Sequence, residues 1–210
     1  MTRPYPNAVI QIFSKAPVPG QVKTRLIPAL TAEQAAAVQR ELTLATLDLA
    51  TEQPLCPVQL WCAPDVEHSF FQAIRQHYPV SLHTQCAGDL GQRMVHALQY
   101  GIAQYGGALL MGSDCPSLRR QDLEQALVAL RDGYECVLAA TEDGGYCLLG
   151  LTQPIPALFR DIRWSTDSVC AETEAVLQRL KTRYYCLPQQ WDVDTYPDYL
   201  RYQRLRLESR

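Results

Sequence analysis

The stretch GALLMGSDCPSL (Gly107–Leu118) joins a short apolar run, Ala108–Met111, to a stop at Gly112. A hydroxyl residue and a carboxylate follow at Ser113 and Asp114, and then a proline at Pro116. Apolar runs of this length between Gly and Pro read as buried strands of a mostly parallel sheet. Pro116 has no N–H to continue a ladder, so the strand ends at or just before Asp114. In open α/β sheets ligands bind beyond the carboxyl ends of the strands. Asp114 therefore stands where a ligand-facing acid belongs, the alternative being that it caps the next turn or helix.

The segments around this strand alternate in period. Ala8–Phe13 is β-rich and opens the sheet. Thr31, with Gln34 as capping-box partner, starts a helix rich in Ala and Leu that runs to about Ala50. Pro57–Ala63 reads as a strand, Val66–His77 as a helix with Phe70, Phe71 and Ile74 on one face, and Val80–Thr84 as a short strand. Gly88–Arg93 leads into a helix whose Leu90, Met94, Leu98 and Ile102 repeat at helical spacing and pack on the sheet. Beyond Pro116, Leu123, Ala126, Leu127 and Leu130 mark a further helix. Tyr134–Ala140 and Tyr146–Leu151 are strands. Thr166 is an N-cap candidate for a helix carrying Val169, Val176, Leu177 and Leu180. Arg183–Leu187 is the last strand, and Thr195 caps a final helix with Pro197 in its first turn. This alternation predicts an α/β fold, a three-layer α/β/α sandwich with a mainly parallel mixed sheet, and one domain over residues 1–210. Right-handed crossovers bring the ends of the first and fourth strands to one edge.

Directly after the first strand comes a loop, Ser14–Leu26, with Pro17, Pro19 and Gly20. It carries Lys15, Lys23 and Arg25. A flexible glycine and converging cations suit a diphosphate or triphosphate, although a solvated basic loop has the same composition. The P-loop pattern is absent, as is a G-x-G-x-x-G after the strand. Arg93, off the apolar stripe near its helix start, is either a surface arginine or a contact to a ligand at the sheet edge. In Thr141–Tyr146 the paired Gly144 and Gly145 serve a close backbone approach to a ligand or a hairpin turn. Asp192 and Asp194, alternate residues of an extended segment, point to the same side, so that both face one site or one caps the helix while the other works. Hard divalent cations take carboxylate oxygens together with phosphate ligands. Asp114 and Asp194, with Lys23 and Arg25 opposite, would make a metal–diphosphate site.

The formal net charge is −3 and the pI about 5.8, which argues against electrostatic binding to nucleic acid. No apolar run reaches the ~18 residues of a membrane helix, and MTRPYPNAVIQIF lacks the h-region of a signal peptide, so a cytoplasmic protein is expected. Eight cysteines spread from Cys56 to Cys186 contain no C-x-x-C pair. Cys62, Cys136, Cys147 and Cys186 fall in predicted strands and read as small buried hydrophobes.

Five motifs in order, KAPVPGQVKTRL (Lys15–Leu26), GSDCPSL (Gly112–Leu118), EDGGYCLLGL (Glu142–Leu151), WST (Trp164–Thr166) and DVDT-x-x-D (Asp192–Asp198), make the chain resemble the DUF2064 family over roughly Ala8–Leu200. The resemblance implies the GT-A fold, also termed nucleotide-diphospho-sugar transferase-like. It implies Mg2+ or Mn2+ on Asp114 and Asp194 and phosphates on Lys15, Lys23 and Arg25; Gly20 and Arg93 are further candidates for the phosphate site, and Asp192 for the metal. Asp143, Gly144, Gly145, Tyr146, Trp164, Ser165 and Thr166 would shape the sugar or acceptor pocket, with Glu142 or Asp143 as base. The implied activity is metal-dependent glycosyl transfer from a nucleotide-diphospho-sugar to a small-molecule acceptor. Nucleotidyl transfer from a nucleoside triphosphate to a phosphorylated acceptor is the alternative, and a non-catalytic nucleotide-binding module a further one. The chain departs from glycosyltransferases in reducing D-x-D to Ser113-Asp114. It departs from many nucleotidyltransferases in replacing their glycine-rich N-terminal signature with a proline-containing loop.

Overall fold

The structure is a computed structural model that describes residues 3–27 and 29–208. Strands β1 (Val9–Lys15), β2 (Val58–Ala63), β3 (Ser81–Thr84), β4 (Ala108–Gly112), β5 (Cys136–Ala140), β6 (Tyr146–Leu151) and β7 (Tyr184–Cys186) form a sheet of order β3-β2-β1-β4-β6-β5-β7. Only β6 runs against its neighbours, pairing antiparallel with both β4 and β5. β1 and β4 are adjacent and parallel, Ile10 lying opposite Leu109 and Phe13 opposite Gly112, so their carboxyl ends share one edge.

Strand periodicity of two distributes each strand's side chains between two cores. Ile10, Ile12, Leu109 and Met111 face helices α1 (Ala32–Thr51), α2 (Ser69–His77) and α4 (Arg120–Arg131). Val9, Ala108 and Leu110 face α3 (Leu90–Tyr105) and α5 (Val169–Arg179). The last helix, α6 (Tyr196–Glu208), lies with the start of α1 over a smaller core containing Leu26, Leu42 and Tyr202. The Thr31–Gln34 capping box is formed, and a second one, Asp89–Gln92, starts α3.

Several expected boundaries move. α2 begins at Ser69 because His68 Nδ1 accepts the Phe70 N–H at 3.2 Å. α5 begins at Val169. Thr166 does not cap it, since its hydroxyl donates instead to the Arg163 carbonyl at 2.8 Å. Leu90 is 44% exposed because it is the first helical residue and overhangs the sheet edge. Leu180, at the C-cap of α5, is 47% exposed. β7 shortens to three residues at the sheet edge and leaves Cys186 exposed, unlike the buried Cys62, Cys136 and Cys147. All eight cysteines are free thiols. No described helix is long and apolar enough to cross a membrane.

α3 approaches the sheet closely at Gly101, where an added Cβ would stand 2.8 Å from Gln11 Nε2 and 2.9 Å from Ala108 Cβ and Val9 Cγ1. Gly101→Ala gains about 1 kcal/mol of helix propensity and meets an overpacking cost of about 1–3 kcal/mol. We expect a net loss read as a lower urea midpoint at unchanged slope. An equal or higher midpoint would show that α3 can back away from β1 without cost.

Candidate active site

A cleft of about 850 Å³ opens over the carboxyl ends of β1 and β4. Its size falls within the range of ligand pockets. Lys15 ends β1 exposed and, among the described residues, without an ion pair. The following loop is pinned by buried Val22 and Leu26. Between them Lys23 adopts a left-handed backbone (φ 49°, ψ 39°), rare for a residue with a side chain. That turn drives its ammonium inward: the side chain is 6% exposed and Nζ lies 3.0 Å from Asp114 Oδ2. Arg25, on the 3-10 turn Thr24–Leu26, pairs with Asp194.

Beneath Asp114 lies a buried polar cluster. Gln39 Nε2 on α1 donates to Ser113 Oγ and to Thr43 Oγ1, each at 3.3 Å, and Thr43 Oγ1 lies 2.9 Å from Ser14 Oγ. These bonds fasten the ends of β1 and β4 to one helix. Gly112 leaves room for the carboxylate, since a Cβ there would lie 2.8 Å from Asp114 Oδ1. The segment before α6 is stitched to the same place. Val193 N donates to the Asp114 carbonyl at 2.9 Å, and Trp191 N to Ser117 Oγ at 2.9 Å. Asp192 and Asp194 are thereby carried to the cleft on either side of buried Val193.

The β5–β6 turn supplies the opposite wall. Asp143 Oδ1 accepts from Gly145 N at 3.0 Å and from the Thr141 hydroxyl, while Gly144 takes a positive φ of 86°. Gly144 lies directly against the start of α5, where Cys170 N donates to its carbonyl at 2.9 Å. Trp164 packs its indole on Gly91 of α3, where a Cβ would be 2.7 Å from the ring, and stacks with Phe159 at 6.4 Å between centroids.

The structure gathers Lys15, Lys23, Arg25, Arg93, Asp114, Asp143, Gly145, Tyr146, Trp164, Ser165, Thr166, Asp192 and Asp194 around this cleft. It does not bring Gly20 or Gly144 to the lining, and Glu142 pairs with Arg201 of α6 at 2.8 Å instead of entering it. Gln39, Gln85, Asp89 and Asp167 also line it and were not singled out from the sequence. Asp89, within the Gly88–Arg93 lead-in to α3, was within reach of a search for helix starts at strand ends. Gln39 and Gln85 carry no local signal.

Burial, together with Asp114 and Asp143, pushes the Asp192 carboxyl up from its usual range to about 6. Three acids thus share one electrostatic neighbourhood, and their all-oxygen chemistry fits a hard divalent cation. Among the described residues, no three His, Cys, Asp or Glu side chains already converge as a metal-binding group. The shift has a stability consequence. Below about pH 3 Asp192 is protonated both folded and unfolded and contributes nothing. As pH rises to 6 and beyond, the folded state is penalised, by about 3 kcal/mol from the shift alone and about 1–2 kcal/mol after solvent screening. In chelator, Asp192→Asn should therefore raise stability at pH 7.5 and leave it nearly unchanged at about pH 3. An equal effect at both pH values would dissociate Asp192 from its acidic neighbours.

The topology and the strand-end cleft define the nucleotide-diphospho-sugar transferase-like fold. A structure from Desulfovibrio desulfuricans G20, described as that of a candidate nucleotide-diphospho-sugar transferase, is 29% identical. It has a TM-score of 0.82, over 90% of this chain and 83% of that one. CMP:2-keto-3-deoxy-manno-octonic acid synthetase complexed with CTP shares the fold at 12% identity, with a TM-score of 0.60 over 97% and 99% of the two chains. So does 4-diphosphocytidyl-2C-methyl-D-erythritol synthase from Anaerococcus prevotii DSM 20548, at 13% identity and a TM-score of 0.58 over 92% and 96%. More narrowly, the chain belongs to the DUF2064 family, described as an uncharacterized protein conserved in bacteria, whose profile matches residues 46–166. No curated protein matches the sequence.

Proposed function

We propose that this protein is a metal-dependent glycosyltransferase that moves a sugar from a nucleotide-diphospho-sugar to a neutral hydroxyl acceptor. The observation that carries this reading is the segregation of charge in the cleft. Its cations are Lys15, Lys23, Arg25 and Arg93, with Asp89 the one acid near Arg93, whereas the wall beyond Asp114 offers Asp143, Asp167 and Asp192 and, among the described residues, no cation. A diphosphate suits the cationic part. An acidic wall accepts hydrogen bonds from hydroxyls and repels a phosphorylated acceptor, which disfavours nucleotidyl transfer.

Asp114 and Asp192 would hold Mg2+ or Mn2+, which supplies charge neutralisation for a leaving diphosphate. Asp194, engaged with Arg25, orients that guanidinium. Lys23 and Arg25 stabilise the negative charge that builds on the diphosphate. The acceptor's proton goes to Asp143 Oδ2, because Oδ1 is already occupied by Thr141 and Gly145. Trp164 and Tyr146 wall the sugar from solvent.

The test is thermal stabilisation by UDP-, GDP-, dTDP- and ADP-sugars and by nucleoside triphosphates, each with Mn2+, Mg2+ or chelator. A ligand at 100 times its Kd adds about 2.7 kcal/mol. A metal-dependent shift with a nucleotide-sugar, followed by release of nucleoside diphosphate, is the expected result. Shifts with triphosphates alone, with pyrophosphate released on adding a phosphorylated acceptor, would replace glycosyl by nucleotidyl transfer.

A further inference from the structure

Gln85 follows β3 directly, and both hydrogens of its side-chain amide are engaged by main-chain carbonyls. Nε2 donates to the Trp61 carbonyl of β2 at 2.9 Å and to the Ser14 carbonyl of β1 at 3.4 Å. Carbonyls only accept, so these two bonds settle which end of the amide is nitrogen. The backbone of Gln85 is held as well, its N–H donating to the Cys62 carbonyl at 2.9 Å. Gln85 Oε1 is thus a fixed acceptor on a residue lining the cleft, neither enclosed nor bonded by any described residue.

Two cationic donors share its flank with one acid, Asp89, whose Oδ1 accepts the Gln92 N–H at 2.8 Å. Lys15 is the residue after Ser14, whose carbonyl Gln85 holds. Among the described residues Arg93 spends only Nε, donating to the Gly88 carbonyl at 3.0 Å, so both terminal nitrogens remain available to a ligand. Exposed Leu90 provides an apolar surface on the same flank. The strand order fixes what this flank can receive. Lys23 and Arg25 sit centrally, at β1 and β4; the acids of the β5–β6 turn lie to one side, and Gln85 with Lys15 and Arg93 to the other. A diphosphate held at the centre sends hydroxyls toward the acids and a base toward the amide and the cations.

We propose that Gln85 is a specificity-determining residue that reads the ring imide N–H of a uracil-type base, the pyrimidine dione of uridine and thymidine nucleotides. This inference rests on the nucleotide-sugar reading above. A pyrimidine dione presents a donor flanked by two acceptors, which suits one fixed acceptor on a flank that also carries two cationic donors. Cytosine and adenine turn a ring-nitrogen lone pair toward Oε1. Guanine offers a ring N–H but sets an amino group against one of the cations. A site built around a hydrogen bond rejects ligands that leave its polar atoms unpaired.

Calorimetric titration of the full chain in MnCl2 with UDP, dTDP, CDP, ADP, GDP and N3-methyl-UDP tests it. UDP and dTDP should bind at least about 10-fold tighter than the other bases, and methylation at N3 should weaken UDP by at least about 10-fold. Gln85→Ala should lower UDP affinity and erase the preference over CDP. Because Gln85 also ties β1 to β2, the N3-methyl comparison on unaltered protein stands independently of that variant's folding. N3-methyl-UDP binding as tightly as UDP, or preference for another base, would overturn the assignment and leave the transferase reading intact. No binding of any nucleotide would remove both.

Discussion

Asp114→Ala is expected to abolish metal-dependent stabilisation by nucleotide-sugars and to lower transfer by about 10³-fold, near 4 kcal/mol of barrier. Two effects combine. The carboxylate that would hold the metal disappears, and Lys23 loses its partner. With the lysine side chain 6% exposed and Asp114 40% exposed, the pair is half buried. Its rupture should destabilise the free protein by about 1–2 kcal/mol, less than the 3–5 kcal/mol of a fully buried pair. Denaturant unfolding measures this separately from activity. Lys23→Ala removes the cation and leaves a carboxylate able to take metal, so it should slow transfer while preserving the metal requirement. Transfer within 10-fold of the unaltered protein in Asp114→Ala would remove Asp114 from the chemistry.

Gly144→Ala should destabilise the protein by more than about 3 kcal/mol and disable the cleft together with the fold. At φ 86° a side chain is strained before any contact is counted. The new Cβ would also stand 2.0 Å from the Asp167 carbonyl oxygen and 2.6 Å from its carbonyl carbon, backbone atoms that cannot rotate away. Relief requires pushing the start of α5 outward, and with it Asp167 and the cleft wall. Gly145→Ala is the built-in control. Its Cβ would meet Thr141 Oγ1 at 3.2 Å and Asp143 Oδ1 at 3.3 Å, side-chain atoms that can yield. A Gly144→Ala midpoint within about 1 kcal/mol of the starting protein would mean that α5 is not seated on this turn.

The strands and the place of Asp114 were legible because short apolar runs between Gly and Pro leave few alternatives. The capping box at Thr31 and Gln34 was legible from side chain and spacing, whereas the Asp89–Gln92 box, of the same spacing, lay within a lead-in read only as a helix start. Legibility failed where a neighbour distant in sequence decides. Leu90 fits the apolar stripe of α3 and yet stands exposed, because the sheet ends beneath it. Glu142 and Asp143 are adjacent turn acids, and only the position of Arg201, 59 residues later, draws Glu142 away. Asp192 and Asp194 both reach the cleft, but with different neighbours, acids for one and Arg25 for the other. Gln85 and Gln39 belong to no motif. Their placement follows from which carbonyls and hydroxyls the folded chain brings within reach.

The reversed course of β6 bears on how this protein can change length over evolution or in engineering. Parallel strands reach the cleft edge through long connections that tolerate inserted residues at modest entropic cost. Because β6 begins at that edge, the wall carrying Asp143 is formed by Thr141–Gly145, a turn closed by Thr141 N to the Gly145 carbonyl at 2.9 Å. Insertions that broaden substrate range should therefore be accepted between β6 and α5 and rejected between β5 and β6. A deletion-and-insertion scan of the gene would show a gap in tolerated lengths at residues 141–145.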